Sequence, residues 1–195
     1  MSFLPFVVLA SSSPRRQQLL LQMGADFVVA VPDIDETLLP GEEPGAHVER
    51  LALEKARAVG HGRGDGVILG SDTVVVLDGR VLGKPADPDE ARAMLAMLSG
   101  HTHTVFTGFA LIDIASGRTI VEHVRTQVTF RQLDEAEIAH YVAGGSPMDK
   151  AGAYGIQDDF GAVFIERIEG DYYTVVGLPV CRVFVALREL AATAA

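Results

Sequence analysis

The sequence puts charge where folding alone gives no reason for it. Ser13-Pro14-Arg15-Arg16 follows an apolar run over residues 6–10 and opens a predicted helix. A helix N-terminus is already positive, so two arginines there cost stability unless an anion joins them. Backbone N–H groups, the hydroxyls of Ser11, Ser12 and Ser13, and two guanidiniums would together cradle a phosphate; the alternative is a solvated helix start with its charges turned outward. Lys55 is the next anomaly. A helix predicted over 46–59 carries its apolar face through Val48, Leu51, Ala52, Ala56 and Val59, and Lys55 falls on that face, while Arg50, Glu54 and Arg57 fall outside it. Such a lysine needs either an anion or a route by which its head reaches water. Asp72 lies inside the β-branched run 67–77, where a carboxylate must be paired, protonated or bound to metal. Gly70, two residues earlier on the same face, would leave room for a ligand.

Asp33, Asp35 and Glu36 gather in one loop, which is either an ordinary solvated loop or a source of carboxylate oxygens for Mg²⁺ or Mn²⁺. Lys84, held extended before Pro85, is either a point charge for phosphate or a surface lysine. His101 and His103 lack the further ligands a zinc site needs and read as turn and strand residues. The chain has no Walker A loop, no Gly-x-Ser-x-Gly elbow and no dinucleotide-binding glycine fingerprint. Basic, acidic and hydroxyl groups together are the inventory for metal-assisted attack on a phosphate ester.

The elements that must position these groups alternate. Strands are expected over 6–10, 27–31, 67–77, 105–114, 119–130, 162–168 and 172–176, with hairpin turns at Asp78-Gly79 and at Glu169-Gly170-Asp171. Helices are expected from Pro14 to Gly24 and over 46–59, 89–98, 134–142 and 178–190. Hairpin links among helices predict an α/β fold with a mixed, twisted sheet flanked by helices. The alanine-rich end, residues 191–195, is expected to fray.

Composition narrows the partners. The 195 residues are 48% hydrophobic and carry a net charge of −10, which argues against coating duplex nucleic acid but permits a small anion in a local basic pocket. No apolar run approaches a membrane span. The apolar start is short, contains Pro5 and lacks a basic leader, so it reads as a core strand and not a secretion signal. Cys181 is the only cysteine, which suits a reducing compartment, the cytoplasm; its apolar neighbours predict a small buried side chain.

Ordered motifs then carry a family resemblance. Ser13-Pro14-Arg15-Arg16, Asp35-Glu36, Glu54-Lys55-Ala56, Ser71-Asp72-Thr73, Gly83-Lys84-Pro85, the segment 99–103, Thr107-Gly108, the segment 149–157 and the segment 175–179 occur in that order. From about Phe6 to Leu190 the sequence resembles the Maf family of nucleoside triphosphate pyrophosphatases, and its segment 149–157 resembles the branch acting on dTTP and UTP. The resemblance implies hydrolysis of a nucleoside triphosphate to monophosphate and pyrophosphate with Mg²⁺ or Mn²⁺. It implies a single domain over 1–195, with room for two lobes and a cleft between them, in a fold akin to the inosine triphosphate pyrophosphatases, and a homodimer. By position, Asp72 would be the proton acceptor. Ser13, Arg16, Glu36, Lys55 and Lys84 would fill the phosphate and metal site, with Glu36 and Asp72 as metal ligands. Arg15, Thr73 and Gln157 match positions linked to base selectivity. A glutamine can donate to a pyrimidine carbonyl and accept from its ring N–H, an edge uracil and thymine share.

The pattern departs from the family at Ser146, at Asp158-Asp159-Phe160 beside Gln157, and at Thr174. Asp72 as both tight ligand and strong base is a conflict the sequence leaves open. Two rival readings remain: a regulator of septum formation acting through a protein partner, and a phosphatase releasing single phosphates.

Overall fold

The computed structural model describes residues 3–60, 64–157 and 159–192. In chain order these form β1 (Val7–Ala10), α1 (Pro14–Gln22), β2 (Phe27–Val29), α2 (Pro44–Gly60), β3 (Val67–Leu77), β4 (Arg80–Leu82), α3 (Pro88–Leu98), β5 (Thr102–Asp113), β6 (Thr119–Phe130), α4 (Glu135–Ala143), β7 (Ile165–Glu169), α5 (Tyr172–Val176) and α6 (Val180–Ala192). Short 3-10 turns occupy Ser146–Asp149, Ala151–Ala153 and Asp159–Phe164. The sheet runs β2-β1-β3-β5-β6-β7, with β4 paired to β3. β1 is parallel to β2 and β3, whereas β4 is antiparallel to β3 and β7 to β6. The mixed α/β sheet expected from the alternation of elements is therefore present.

The chain divides into two compact units, one drawn from Met1–Asp72, Thr107–Val124 and Gly177–Ala195, the other from Thr73–Phe106 and Arg125–Val176. The first has a core of small and branched side chains, including Val8, Ala10, Ala52, Ala56, Ile68 and Ala110. Their size follows from a close approach of backbones. A Cβ on Gly70 would stand 2.0 Å from the Ala52 carbonyl oxygen, and one on Gly108 would stand 2.4 Å from that of Val48. Helix α2 thus lies with its backbone against β3 and β5, a distance only glycine permits. The space beside Gly70 is filled by α2, so this glycine admits a helix and not a ligand, contrary to expectation.

The second unit has an aromatic core. Phe130 meets Tyr154 edge-on with ring centroids 4.8 Å apart, and Tyr141 meets Phe164 at 5.1 Å. These are the offset geometries that ring quadrupoles favour.

Several sequence expectations fail for local reasons. Residues 172–176 are helix α5 and not a strand. Asp171 decides this: its carboxylate accepts from the Thr174 amide at 2.7 Å and the Thr174 hydroxyl at 2.8 Å, capping the turn. The hairpin expected at 169–171 is consequently absent, and residues 162–164 belong to a 3-10 turn that precedes β7. Cys181 is exposed, because α6 buries Val183, Ala186, Leu187 and Leu190 and turns Cys181 away from that stripe. Ala191 and Ala192 lie in α6. Asp158 and residues 193–195, for which expectations were given above, lie outside the described residues.

Candidate active site

The first unit brings candidate site residues together from the ends of β1 and α1, from α2 and β3, and from the loop before α2. Register Ala10↔Gly70 between β1 and β3 brings Ser11 alongside Ser71. Pro14 starts α1, and the Ser13 hydroxyl caps it, accepting from the Arg16 amide at 3.5 Å. Arg16 turns inward. Its Nε donates to the Gly177 carbonyl at 2.8 Å and its Nη1 to the Ser11 hydroxyl at 3.1 Å. Burial draws the guanidinium below its ordinary value; Asp72 opposes this, Arg15 adds to it, and Glu36 opposes it. Arginine starts so high that it keeps its charge.

Lys55 is 6% exposed and Asp72 is 7% exposed. The Lys55 ammonium donates to Asp72 Oδ1 at 2.6 Å and lies 2.8 Å from Glu36 Oε1. Of the two routes open to an inward lysine, pairing with anions is the one taken. The pairing also resolves the cost of a carboxylate inside β3, since buried opposite charges with good geometry offset each other's desolvation.

The acidic loop divides. Glu36 reaches Lys55. Asp35 stays local: its Oδ1 accepts from the Thr37 amide at 2.9 Å and hydroxyl at 2.6 Å, which holds its carboxyl below the usual range. Asp33 is exposed. Among the described residues no group of three or more His, Cys, Asp and Glu side chains could hold a metal ion. The carboxylates of Glu36 and Asp72, both drawn to the Lys55 ammonium, are nonetheless hard oxygen donors. That fits Mg²⁺ or Mn²⁺, which commonly take one or two carboxylates and fill the rest with water and substrate phosphates.

The remaining sequence-predicted residues are placed separately. Arg15 is half-buried on α1. Thr73, also half-buried, follows Asp72 in β3, so its side chain leaves the opposite face. Lys84 is exposed after β4. The amide nitrogen and oxygen of Gln157 are both buried without a hydrogen-bond partner among the described residues. Thr73, Lys84 and Gln157 belong to the second unit.

Three contributors escaped sequence reasoning. Ser71, fully buried, donates to the Gly108 carbonyl at 2.9 Å. The Gly177 carbonyl accepts from Arg16 and, at 3.3 Å, from Ser71. Glu42 accepts from Arg50 Nε at 2.6 Å and from Arg50 Nη2 at 2.8 Å, and it stands 2.9 Å from His47 Nδ1. These bonds, Arg50 first, hold its carboxyl down at about 2. The visible signal for the Glu42 group was a buried-face His47 one turn before Arg50; backbone carbonyls leave no signal of this kind.

Residues 6–190 match the family model described as Maf-like protein. The chain belongs to the Maf family. Among its Maf relatives, a dTTP/UTP pyrophosphatase of Moorella thermoacetica is 54% identical over 177 residues, 91% of each chain. That of Symbiobacterium thermophilum is 54% identical over 176 residues, 90% of this chain and 89% of the relative. That of Bacillus cereus is 46% identical over 183 residues, 94% of each. No described helix of this Maf chain is long and apolar enough to cross a membrane.

Proposed function

We propose that this Maf protein is a nucleoside triphosphate pyrophosphatase that hydrolyses dTTP and UTP to the monophosphate and pyrophosphate. The observation that carries the chemistry is the buried ammonium of Lys55 shared by Asp72 and Glu36, at 2.6 and 2.8 Å. The activity for which its relatives are named supports the choice of substrate.

Water attacks phosphorus, the α–β anhydride bond breaks, and pyrophosphate leaves. Asp72 takes the proton from the attacking water. Arg16 and Lys55 offset the triphosphate charge, most of all as it builds in the transition state, and Lys84 is assigned to the same charge on the family resemblance. Ser13 and the start of α1 add donors to phosphate oxygens. Glu36 would hold Mg²⁺ or Mn²⁺, with Asp72 at most a weak second ligand so that it stays basic, and the ion supplies charge neutralisation and Lewis acidity at the phosphates. Gln157 takes the pyrimidine edge, a role supported by its buried amide having no hydrogen-bond partner among the described residues. Arg15 and Thr73 are assigned to base selectivity on the family resemblance, which also carries the homodimer. A cytoplasmic location is supported by a single cysteine, which can form no intrachain disulfide. No observation favours the septum-regulator reading.

The test is a panel of nucleoside triphosphates incubated with the protein and Mg²⁺ or Mn²⁺, with the products identified. Monophosphate plus pyrophosphate from dTTP and UTP is expected. Orthophosphate as the first product would put the single-phosphate phosphatase in its place, and no turnover with either metal would overturn the enzyme reading.

A further inference from the structure

Glu36 occupies an unpromising position for a ligand. It lies in a segment without regular structure between β2 and α2, and its side chain is 50% exposed. An ion pair that open to solvent stabilises little, and ordering a loop costs about 1–2 kcal/mol per residue. With only the Lys55 side of the pair buried, contacts elsewhere in the loop bear on where Glu36 stands.

The holding contacts lie just beyond it in the chain. Arg50 Nη2 donates to the Thr37 carbonyl at 3.1 Å, one residue from Glu36. The same nitrogen donates to Glu42 Oε2 at 2.8 Å, and Nε donates to Glu42 Oε1 at 2.6 Å. Glu42 Oε2 also accepts from the Leu39 amide at 3.2 Å, while the Glu42 amide donates to the Leu39 carbonyl at 3.1 Å. His47, buried on α2, closes the group from below. Arg50 therefore grips the loop twice, by a carbonyl next to Glu36 and by a carboxylate farther on. It does so from α2, the helix that carries Lys55. A forked arginine–carboxylate pair is directional as well as strong. The Glu42 side chain is 10% exposed, and the proposed hydrolysis has no use for it.

We propose that Glu42, through Arg50, is a positioning residue that fixes Glu36 beside Lys55 and thereby sets the affinity of the site for its divalent cation. The proposal rests on Glu36 being a cation ligand. Without the Glu42 charge, Arg50 keeps Glu54 as its acidic neighbour, 3.3 Å away on the same helix, and is drawn along α2 away from Thr37.

The test uses the full chain without nucleotide. Mn²⁺ binding is measured for wild type, Glu42→Gln, Arg50→Lys, Glu36→Gln and the Glu36→Gln/Glu42→Gln double variant, together with amide exchange at Thr37 and Leu39. Glu42→Gln should bind Mn²⁺ about 10-fold more weakly, the lower end of what partners behind metal ligands contribute. Exchange at both amides should quicken, and Glu42→Gln should add no further loss once Glu36 is Gln. Arg50→Lys, which keeps the charge and loses the fork, should move both readouts the same way and carries the test if Glu42→Gln fails to fold. Wild-type Mn²⁺ binding in Glu42→Gln, alongside a loss in Glu36→Gln, overturns the positioning role alone. Unchanged binding in Glu36→Gln overturns the ligand reading and the proposal with it.

Discussion

Both units compensate their buried charges, Lys150 with Asp149 in the second as Lys55 with Asp72 in the first, but they differ at the residues assigned to substrate. In the first, Lys55, Asp72 and Glu36 satisfy one another, and Arg16 is bonded to Ser11 and Gly177. In the second, Gln157 leaves both amide atoms buried without a hydrogen-bond partner among the described residues, and His103 does the same with Nδ1 while its Nε2 stands 2.7 Å from the Tyr154 hydroxyl. Buried charges must be compensated before any ligand arrives, because an isolated one is too costly. A buried neutral amide costs only about 1–3 kcal/mol when left open, which a fold can tolerate where a ligand later completes it. At the residues assigned to substrate, compensated charge marks the region suited to a polyanion and its metal. Open neutral groups mark the region suited to an uncharged ring.

Four substitutions break or sharpen this contrast. Asp72→Asn removes the proposed base from the charged region and should lower kcat by about 10²–10⁴-fold at saturating metal, read as pyrophosphate release, with unchanged circular dichroism. A rate near wild type would remove Asp72 from the chemistry. Gly70→Ala attacks the packing beneath the same charges. Its Cβ would meet the Ala52 carbonyl oxygen at 2.0 Å, so urea unfolding should show a loss of about 3 kcal/mol, the upper part of the overpacking range.

His103 tests the neutral region by pH. Burial lowers its pKa from 6.5 to about 4. Above pH 6.5 both folded and unfolded chains hold it neutral. Between 6.5 and about 4 the unfolded chain takes up the proton first, so stability falls as pH falls, by about 1.4 kcal/mol per unit. His103→Gln should flatten that part of the acid limb relative to wild type; parallel curves would mean His103 does not contribute to it. The smallest effect is expected at Gln157. Gln157→Leu should cut kcat/KM for dTTP and UTP about 10-fold, narrow their advantage over purine triphosphates, and raise stability by about 1 kcal/mol as an unsatisfied amide is lost. Lost stability with intact selectivity would show that the amide serves the fold.

Lys55 and Asp72 could be read from sequence because each interrupts a regular pattern: a cation on an apolar helical face, a carboxylate in a β-branched strand. Glu36 could not be separated from Asp33 and Asp35 by the same means, since a loop has no period to interrupt. Its loop is gripped by Arg50 and Glu42, which reach the neighbouring Thr37 and Leu39 backbone only after folding. Gly70 was legible as a place of close approach, but sequence does not say what approaches. Residues 172–176 misled because aromatic and β-branched side chains favour strands, and the cap at Asp171 outweighed them. The Gly177 carbonyl, 161 positions from Arg16, is a backbone atom with no residue type to announce it.

Exposed Cys181 on α6, the only cysteine in the chain, has a practical consequence. A spin label or dye placed there needs no other thiol removed first, and it reports from the first unit. Pairing it with one cysteine engineered into the second would turn the separation of the two units into a spectroscopic distance, readable with and without nucleotide.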